Sequence, residues 1–214
     1  MKPSPPRHRV SWLLGLIAIA GIAGWFVPQS LRHEPSTVAA FDPMEDVCIV
    51  APATPWDPAS GIARFEPRPI PAEARCPVCG MYPARYPRWA AQVIFQDGAT
   101  HFFDSPVNLL VFLRRVERYS TYDESDVVAA FINDVASDTW SAARDAYFVH
   151  GSDALGPMRE GNLPAFANLE AAQAFATQRG GQVLRFDTIT NEIVDSLVHD
   201  AHRHKAHPGH DHHH

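Results

Sequence analysis

The feature that most restricts the fold is an Asp-Gly dipeptide, Asp97-Gly98, between two short apolar segments. Asp-Gly is a strong signal for a β-hairpin turn, because such turns need a positive φ that few other residues adopt. The alternating residues 90–95 and the apolar residues 99–103 then predict two antiparallel strands joined by this turn.

A helix and a third strand are predicted after the hairpin. Asp104 or Ser105 is a suitable N-cap, and Pro106 fits the first helical turn. Apolar residues at helical spacing continue this helix to Arg118, and residues 127–132 have the composition of a strand. The first half of the domain therefore has the predicted order ββαβ.

A similar order returns in the second half. Residues 146–150 and 163–166 predict strands, and Asn168 is the predicted cap of a helix that ends near Gly180-Gly181. A last strand over 183–186 and a terminal helix over 189–198 follow. The predicted fold class is α+β, with two small tandem ββαβ units after an N-terminal transmembrane helix and an extended linker.

The N-terminus carries a targeting signal. An uncharged apolar run over residues 10–27 would span about 27 Å as a helix, which is enough to cross a bilayer core. Lys2, Arg7 and Arg9 precede the run and place the N-terminus in the cytoplasm. We expect an inner-membrane anchor at 1–27 with the globular part in the periplasm. The alternative is a signal peptide that is cleaved near Ala18-Ile19-Ala20.

Three segments make up the rest of the predicted organisation. Residues 28–75 are rich in proline and acidic residues and predict a linker, or alternatively a strap that packs over the core. Residues 76–198 form the predicted metal-binding domain. Residues 199–214 contain eight histidines and predict a disordered tail whose imidazoles bind Cu(II), Zn(II) or Ni(II) with little selectivity.

The charge balance excludes one class of partner. The formal net charge is −6, and the sequence has no stripe of lysine and arginine residues that could form a basic surface. A nucleic-acid partner is therefore not expected, because phosphate binding depends on such a basic surface.

The segment Cys76-Pro77-Val78-Cys79-Gly80-Met81 is the candidate site for chemistry. Two thiols three residues apart on a turn can face one ion, and Met81 adds a thioether two residues later. Thiolate and thioether are soft donors, which favour Cu(I) over hard cations. The segment therefore predicts a Cu(I) site.

Other interpretations of the cysteine pair stay open. Cys-Pro-Val-Cys-Gly also has the form of a rubredoxin-type knuckle that holds zinc or iron, although no second knuckle is present. A thioredoxin-type pair would need a helix at the first cysteine, but Pro83 and Pro87 follow closely. A structural disulfide is the remaining possibility, and Cys48 stands alone in the predicted linker.

Additional ligands are sought among the histidines and methionines. His101 lies on the second predicted strand and His150 ends the first strand of the second unit. Met158, in Gly156-Pro157-Met158, is a second candidate thioether or a packing residue. The chain has no nucleophile elbow, phosphate loop or His-Glu-x-x-His helix, so we do not expect an enzyme.

The combined motifs resemble the NosL family of copper accessory proteins for nitrous oxide reductase. The resemblance covers about residues 76–198. It is carried by Cys-Pro-Val-Cys-Gly-Met at 76–81, Phe103-Asp104, Asp138-Thr139-Trp140, Asp145-Ala146-Tyr147-Phe148-Val149, Gly151-Ser152, Gly156-Pro157-Met158, Pro164 with Phe166, and Gly180-Gly181.

The resemblance implies a function and a ligand set. The family's fold is a pair of related ββαβ units that is also likened to the organomercurial lyase MerB. Its Cu(I) ligands carry over to Cys79 and Met81, with a histidine for which His101 and His150 are the candidates. The implied partners are nitrous oxide reductase, whose CuZ site would receive the copper, and a copper-exporting or ABC-type maturation complex.

Two departures from the family pattern are visible. The chain has no lipid-bearing cysteine after its apolar run, and it carries a histidine-rich tail that the family does not require. The alternative functions are a thiol oxidoreductase that uses Cys76 and Cys79, a carbon–metal lyase suggested by the MerB likeness, and a structural zinc module that binds a partner protein.

Overall fold

A computed structural model describes residues 51–157 and 162–203 of this 214-residue chain, with the backbone alone for 199–203. The strands are β1 Ala91–Phe95, β2 Thr100–Phe103, β3 Val127–Asn133, β4 Trp140–Ala142, β5 Tyr147–His150, β6 Ala165–Phe166 and β7 Gln182–Arg185. The helices are α1 Pro106–Leu113, α2 Val116–Tyr119, α3 Leu169–Arg179 and α4 Asn191–Arg203. The mixed helix-and-sheet class that we predicted is confirmed.

The predicted hairpin is present and belongs to a four-stranded antiparallel sheet with the order β2-β1-β3-β4. Gly98 has a φ of 88°, which only glycine adopts without strain. Asp97 Oδ1 accepts a hydrogen bond from the Ala99 amide at 2.9 Å and so holds the turn. The local Asp-Gly signal therefore set both the position of the turn and the pairing of the two strands.

The central strand β1 is buried along its whole length, on both faces. The sequence predicted an alternating strand, which would have one buried face and one exposed face. The difference arises because residues 51–75, which precede the hairpin, cover the second face of β1. On that face, the Gln92 side chain accepts from the Arg68 amide at 3.1 Å and donates to the Arg68 carbonyl at 3.2 Å.

Residues 51–75 form this cover. Thr54 pairs with Thr100 through two backbone hydrogen bonds of 2.9 and 2.8 Å. The buried guanidinium of Arg68 donates to the Gly98 carbonyl at 2.7 Å and to the Arg64 carbonyl at 2.6 Å. This part of the predicted linker thus behaves as the alternative strap, whereas residues 28–50 lie outside the described residues.

Helix α1 begins as the sequence predicts. Ser105 is the N-cap, and its hydroxyl accepts from the amide of Asn108. The predicted helix to Arg118 is interrupted, however, since α1 ends at Leu113 and α2 is a separate turn. The interruption lies at Arg115, which has a φ of −156°. Its backbone amide donates to the Phe112 carbonyl and so closes a tight turn at the end of α1.

The second half repeats the arrangement of the first. Its antiparallel sheet has the order β6-β5-β7, in which the first strand is central, as β1 is between β2 and β3. Asn168 caps α3 by accepting from the Ala171 amide at 2.9 Å. The terminal helix α4 continues to Arg203, five residues into the segment that we predicted to be a disordered tail.

Strand β4 was not predicted. It pairs with β3, with Ala142 opposite Phe131, after a turn in which Asp138 has a φ of 58°. Its three residues are too few to show a strand period in the sequence.

One apolar core joins the two sheets. Phe103 and Phe112 from the first half pack in the same cluster as Phe148 and Leu163 from the second. Helix α4 contributes the buried side chains of Val194 and Leu197. Within 51–157 and 162–203 we find no helix with the length and apolar character needed to span a bilayer.

His101 generates a prediction about acid stability. Its imidazole lies in the apolar core between the rings of Phe95 and Phe112, and burial lowers its pKa from 6.5 to about 4. The unfolded chain binds the proton more readily, so stability is fully present above pH 6.5 and falls as the pH drops towards 4. We expect His101 to account for a loss of about 3 kcal/mol in the free energy of unfolding over this window.

Urea unfolding of the full chain at several pH values measures this contribution. His101→Gln should remove that part of the pH dependence, whereas His150→Gln, at a half-buried position on the other sheet, should keep it. An identical pH dependence in wild type and His101→Gln would show that the buried imidazole is not the group responsible.

Candidate metal site

The cysteine segment folds into a closed turn at the start of the domain. The Cys76 amide donates to the Met81 carbonyl at 2.8 Å, and the Gly80 amide donates to the Cys76 carbonyl at 2.8 Å. Gly80 has a φ of 75°, which allows the chain to reverse directly after Cys79. The turn brings the two sulfur atoms within 4.8 Å of each other.

A third group meets the two thiols. The ligand atoms of Cys76, Cys79 and Asp104 all lie within 4.8 Å of one another. Asp104 directly follows β2 and precedes the cap of α1, so the hairpin carries its carboxylate beneath the cysteine turn. Donors at this separation can bind one ion at ordinary metal–sulfur and metal–oxygen distances.

Asn108, one helical turn after Asp104, holds the group in place. Its amide nitrogen donates to Asp104 Oδ1 at 2.8 Å and to Cys79 Sγ at 3.3 Å. The Cys79 thiol in turn donates to Asp104 Oδ1 at 3.2 Å. These contacts orient the sulfur and the carboxylate before any ion arrives.

The electrostatics of the site favour a cation. Cys76 and Asp104 are completely buried, and within residues 51–157 and 162–203 Asp104 Oδ2 has no hydrogen-bond partner. Burial raises the pKa of the Cys76 thiol well above its usual value, and the hydrogen bond and charge of Cys79 and the charge of Asp104 raise it further. A bound cation would neutralise this negative cluster and complete the coordination of the carboxylate.

The two cysteines differ in access to solvent. Cys76 is fully buried, whereas Cys79 is half-buried. Both are free thiols in this structure. An incoming donor can therefore reach an ion at Cys79 before it reaches Cys76.

The other predicted ligands are placed as follows. Met81 closes the turn through its carbonyl, and its side chain is half-buried. His101 lies in the core with Nε2 3.0 Å from Ser120 Oγ, and His150 lies on β5, so neither imidazole belongs to the three-residue cluster. Met158 lies outside the described residues. The ligand roles of these four residues stay predictions.

Asp104 and Asn108 were missed as site residues. From the sequence, Asp104 was a candidate helix cap, a role that Ser105 performs, and part of the Phe103-Asp104 motif of the family resemblance, but not a predicted ligand. A usable signal was present, namely a second polar residue one helical turn after an acidic residue that ends a hairpin. It becomes meaningful only if the hairpin is known to face the cysteine turn.

The fold and the site together define a small α+β domain with a candidate metal site centred on two thiols. Residues 67–194 match the NosL family, so the chain belongs to the NosL family. The family that the sequence motifs suggested is thereby confirmed.

Two individual relatives extend this comparison. The chain is 26% identical over 164 residues to the copper-binding lipoprotein NosL of Stutzerimonas stutzeri. The aligned region covers 68% of this chain and 83% of that protein. The crystal structure of the copper chaperone NosL from Shewanella denitrificans is 28% identical, with a TM-score of 0.52, and covers 59% of this chain and 97% of that one.

The buried carboxylate generates a prediction about metal-dependent stability. Asp104→Asn keeps the side-chain size and an acceptor for Asn108 but removes a buried charge. We expect the metal-free variant to be at least as stable as wild type. The additional stability gained with one equivalent of Cu(I) should fall by about 1.4 kcal/mol, corresponding to about tenfold weaker binding.

Anaerobic urea unfolding with and without Cu(I) separates the two effects. Asp138→Asn, in the exposed turn before β4, is the control for loss of a carboxylate. If Asp104→Asn and wild type gain the same stability from Cu(I), the carboxylate takes no part in holding the ion.

Proposed function

We propose that this chain is a copper carrier that binds one Cu(I) at the cysteine turn and delivers it to a copper enzyme outside the cytoplasm. The single observation that carries the proposal is the cluster of Cys76, Cys79 and Asp104 in a domain of the NosL family. The relatives named as a copper-binding lipoprotein and a copper chaperone support copper as the ion and delivery as the role.

In the proposed ligand set, Cys79 and Met81 are the soft donors that make the site selective for Cu(I). Cys76 supplies a second thiolate and Asp104 a carboxylate oxygen at the buried side. Asn108 keeps Cys79 directed towards Asp104. His101, His150 and Met158 remain candidates for a further ligand if the site rearranges when copper binds.

Delivery depends on exchange rather than on release into solvent. A partner's donor can attach to Cu(I) at the half-exposed Cys79 side while Cys76 and Asp104 still hold the ion from within. The ion then moves without ever being free, which suits a carrier. Nitrous oxide reductase is the receiving enzyme in this proposal, with a copper-exporting or ABC-type maturation complex as a further partner.

We also place the domain in the periplasm, held at the inner membrane by the apolar run over residues 10–27. Its support is the sequence alone, because the run lies outside the described residues. The relatives are named as a copper-binding lipoprotein and a copper chaperone, which supports a role in carrying copper rather than in catalysis. Burial raises the pKa of the Cys76 thiol, so Cys76 would be a poor attacking nucleophile in a thiol oxidoreductase.

The ligand assignment predicts the outcome of a Cu(I) competition titration. With residues 204–214 deleted, Cys79→Ser and Met81→Ala should each weaken Cu(I) binding by at least tenfold, because each replaces a soft sulfur donor. Met44→Ala serves as the control for loss of a thioether elsewhere in the chain. If both site variants bind Cu(I) with the wild-type affinity, Cys79 and Met81 are not the copper ligands.

A structural zinc site is the second candidate, and the carboxylate of Asp104 is the observation that favours it, since oxygen donors suit Zn(II) better than Cu(I). The two are distinguished by metal content. A zinc module would be isolated with tightly bound zinc and would unfold when a chelator removes it. A carrier would fold without metal and would prefer Cu(I) to Zn(II).

A further inference from the structure

The chain around the cysteine turn is basic, although the protein as a whole is acidic. Between residues 74 and 96 there are three arginines, Arg75, Arg85 and Arg88, and no aspartate or glutamate. The formal net charge of the whole chain is −6. The cysteine turn therefore lies within a locally positive stretch of the sequence.

Two of these arginines are held together beside the site. The guanidinium carbons of Arg75 and Arg85 lie 4.4 and 4.8 Å from the centroid of the Tyr82 ring. Arg75 also donates to the Tyr82 hydroxyl and, at 3.4 Å, to the carbonyl of Gly80. Arg75 thus spans the outside of the cysteine turn, and Tyr82 fixes both cations by cation–π contact.

This arginine pair, Arg75 and Arg85, is exposed, and it forms no ion pair with an acidic residue in the part of the chain that the structure describes. The ion pairs in the described part of the chain join Arg114 with Asp195 and Arg179 with Asp153. Glu73, the acidic residue nearest to the turn in sequence, forms no ion pair there. Both guanidinium groups are therefore available to carboxylates from another molecule.

We propose that the arginine pair is a docking surface for the copper-exchange partner, and that the partner carries carboxylates beside its own metal-binding residues. The inference rests on the proposed function and names the chemistry of the partner surface. Guanidinium groups bind carboxylates through paired, charge-assisted hydrogen bonds, and Tyr82 pre-orients both groups. Complementary charge at this position raises the rate of productive encounter and directs the partner to the half-exposed Cys79.

Transfer of Cu(I) from the loaded full chain to two synthetic peptides tests the inference. Both peptides carry the same Cys-x-x-Cys copper-binding pair, but glutamates flank the pair in one and glutamines in the other. We expect transfer to the acidic peptide to be about tenfold faster at low salt, and the ratio to approach one at high salt. The ratio of the two rates cancels any change in copper affinity, since the peptides share their donors.

Variants with the same change in charge supply the controls. Arg75→Gln combined with Arg85→Gln should bring the ratio close to one. Arg115→Gln combined with Arg118→Gln, exposed beyond the other end of α1, should keep the wild-type ratio. Equal ratios in wild type and in the Arg75, Arg85 double variant would overturn the proposal.

A copper-free arm separates this inference from the proposed function. The metal-free full chain is titrated with both peptides, and binding is followed by chemical-shift changes of Tyr82 and Gly80. Preference for the acidic peptide, lost in the Arg75, Arg85 variant, supports the docking surface even if the chain fails to hold Cu(I). If Cu(I) is transferred equally fast to both peptides, the carrier function still stands, but the arginine pair is not a docking surface for carboxylates.

Discussion

Strand β1 has both faces in the protein interior, and much of the structure follows from the need to cover them. Within the sheet, β1 pairs with β2 of the hairpin on one side and with β3 on the other. Residues 51–75 cover one of its faces, and hydrogen bonds between the Gln92 side chain and the Arg68 backbone hold them there. A strand with two buried faces needs a layer on each side. The cover therefore belongs to the folded domain, and it brings the chain to the cysteine turn in a defined position. The second ββαβ unit adds its own sheet to the same core.

The site exists because the hairpin and the cysteine turn meet at the edge of this core. Asp104 is carried there by β2, and Asn108 is carried there by the first turns of α1. The cost of burying a carboxylate beside two thiols is considerable when no cation is present, and here one carboxylate oxygen has no hydrogen-bond partner among the described residues. A bound soft cation lowers this cost, which links metal affinity to the burial that the fold imposes.

The difference in exposure between the two thiols gives the site a direction. Cys76 and Asp104 form its inner side and Cys79 its outer side, and Arg75 contacts both Tyr82 and the carbonyl of Gly80, the residue after Cys79. Tight holding and ready exchange are then compatible, since a donor approaching from outside need not displace every ligand at once. In the proposed docking, the partner first meets the positive charge of the arginine pair, while the net charge of −6 on the whole chain would disfavour association of acidic surfaces elsewhere.

The sequence alone determined the features that depend on neighbouring residues. The Asp97-Gly98 turn, the Ser105 and Asn168 caps and the spacing of the two cysteines are local signals, and each appears in the structure at the predicted place. Only the tertiary structure decided which distant residues meet. Asp104 and Asn108 join cysteines that lie 25 or more residues earlier, His101 becomes a core residue with a lowered pKa, and Arg68 holds residues 51–75 over β1. The physical reason is that turns and caps are stabilised within a few residues, whereas burial and metal coordination depend on groups that the folded chain brings together from far apart.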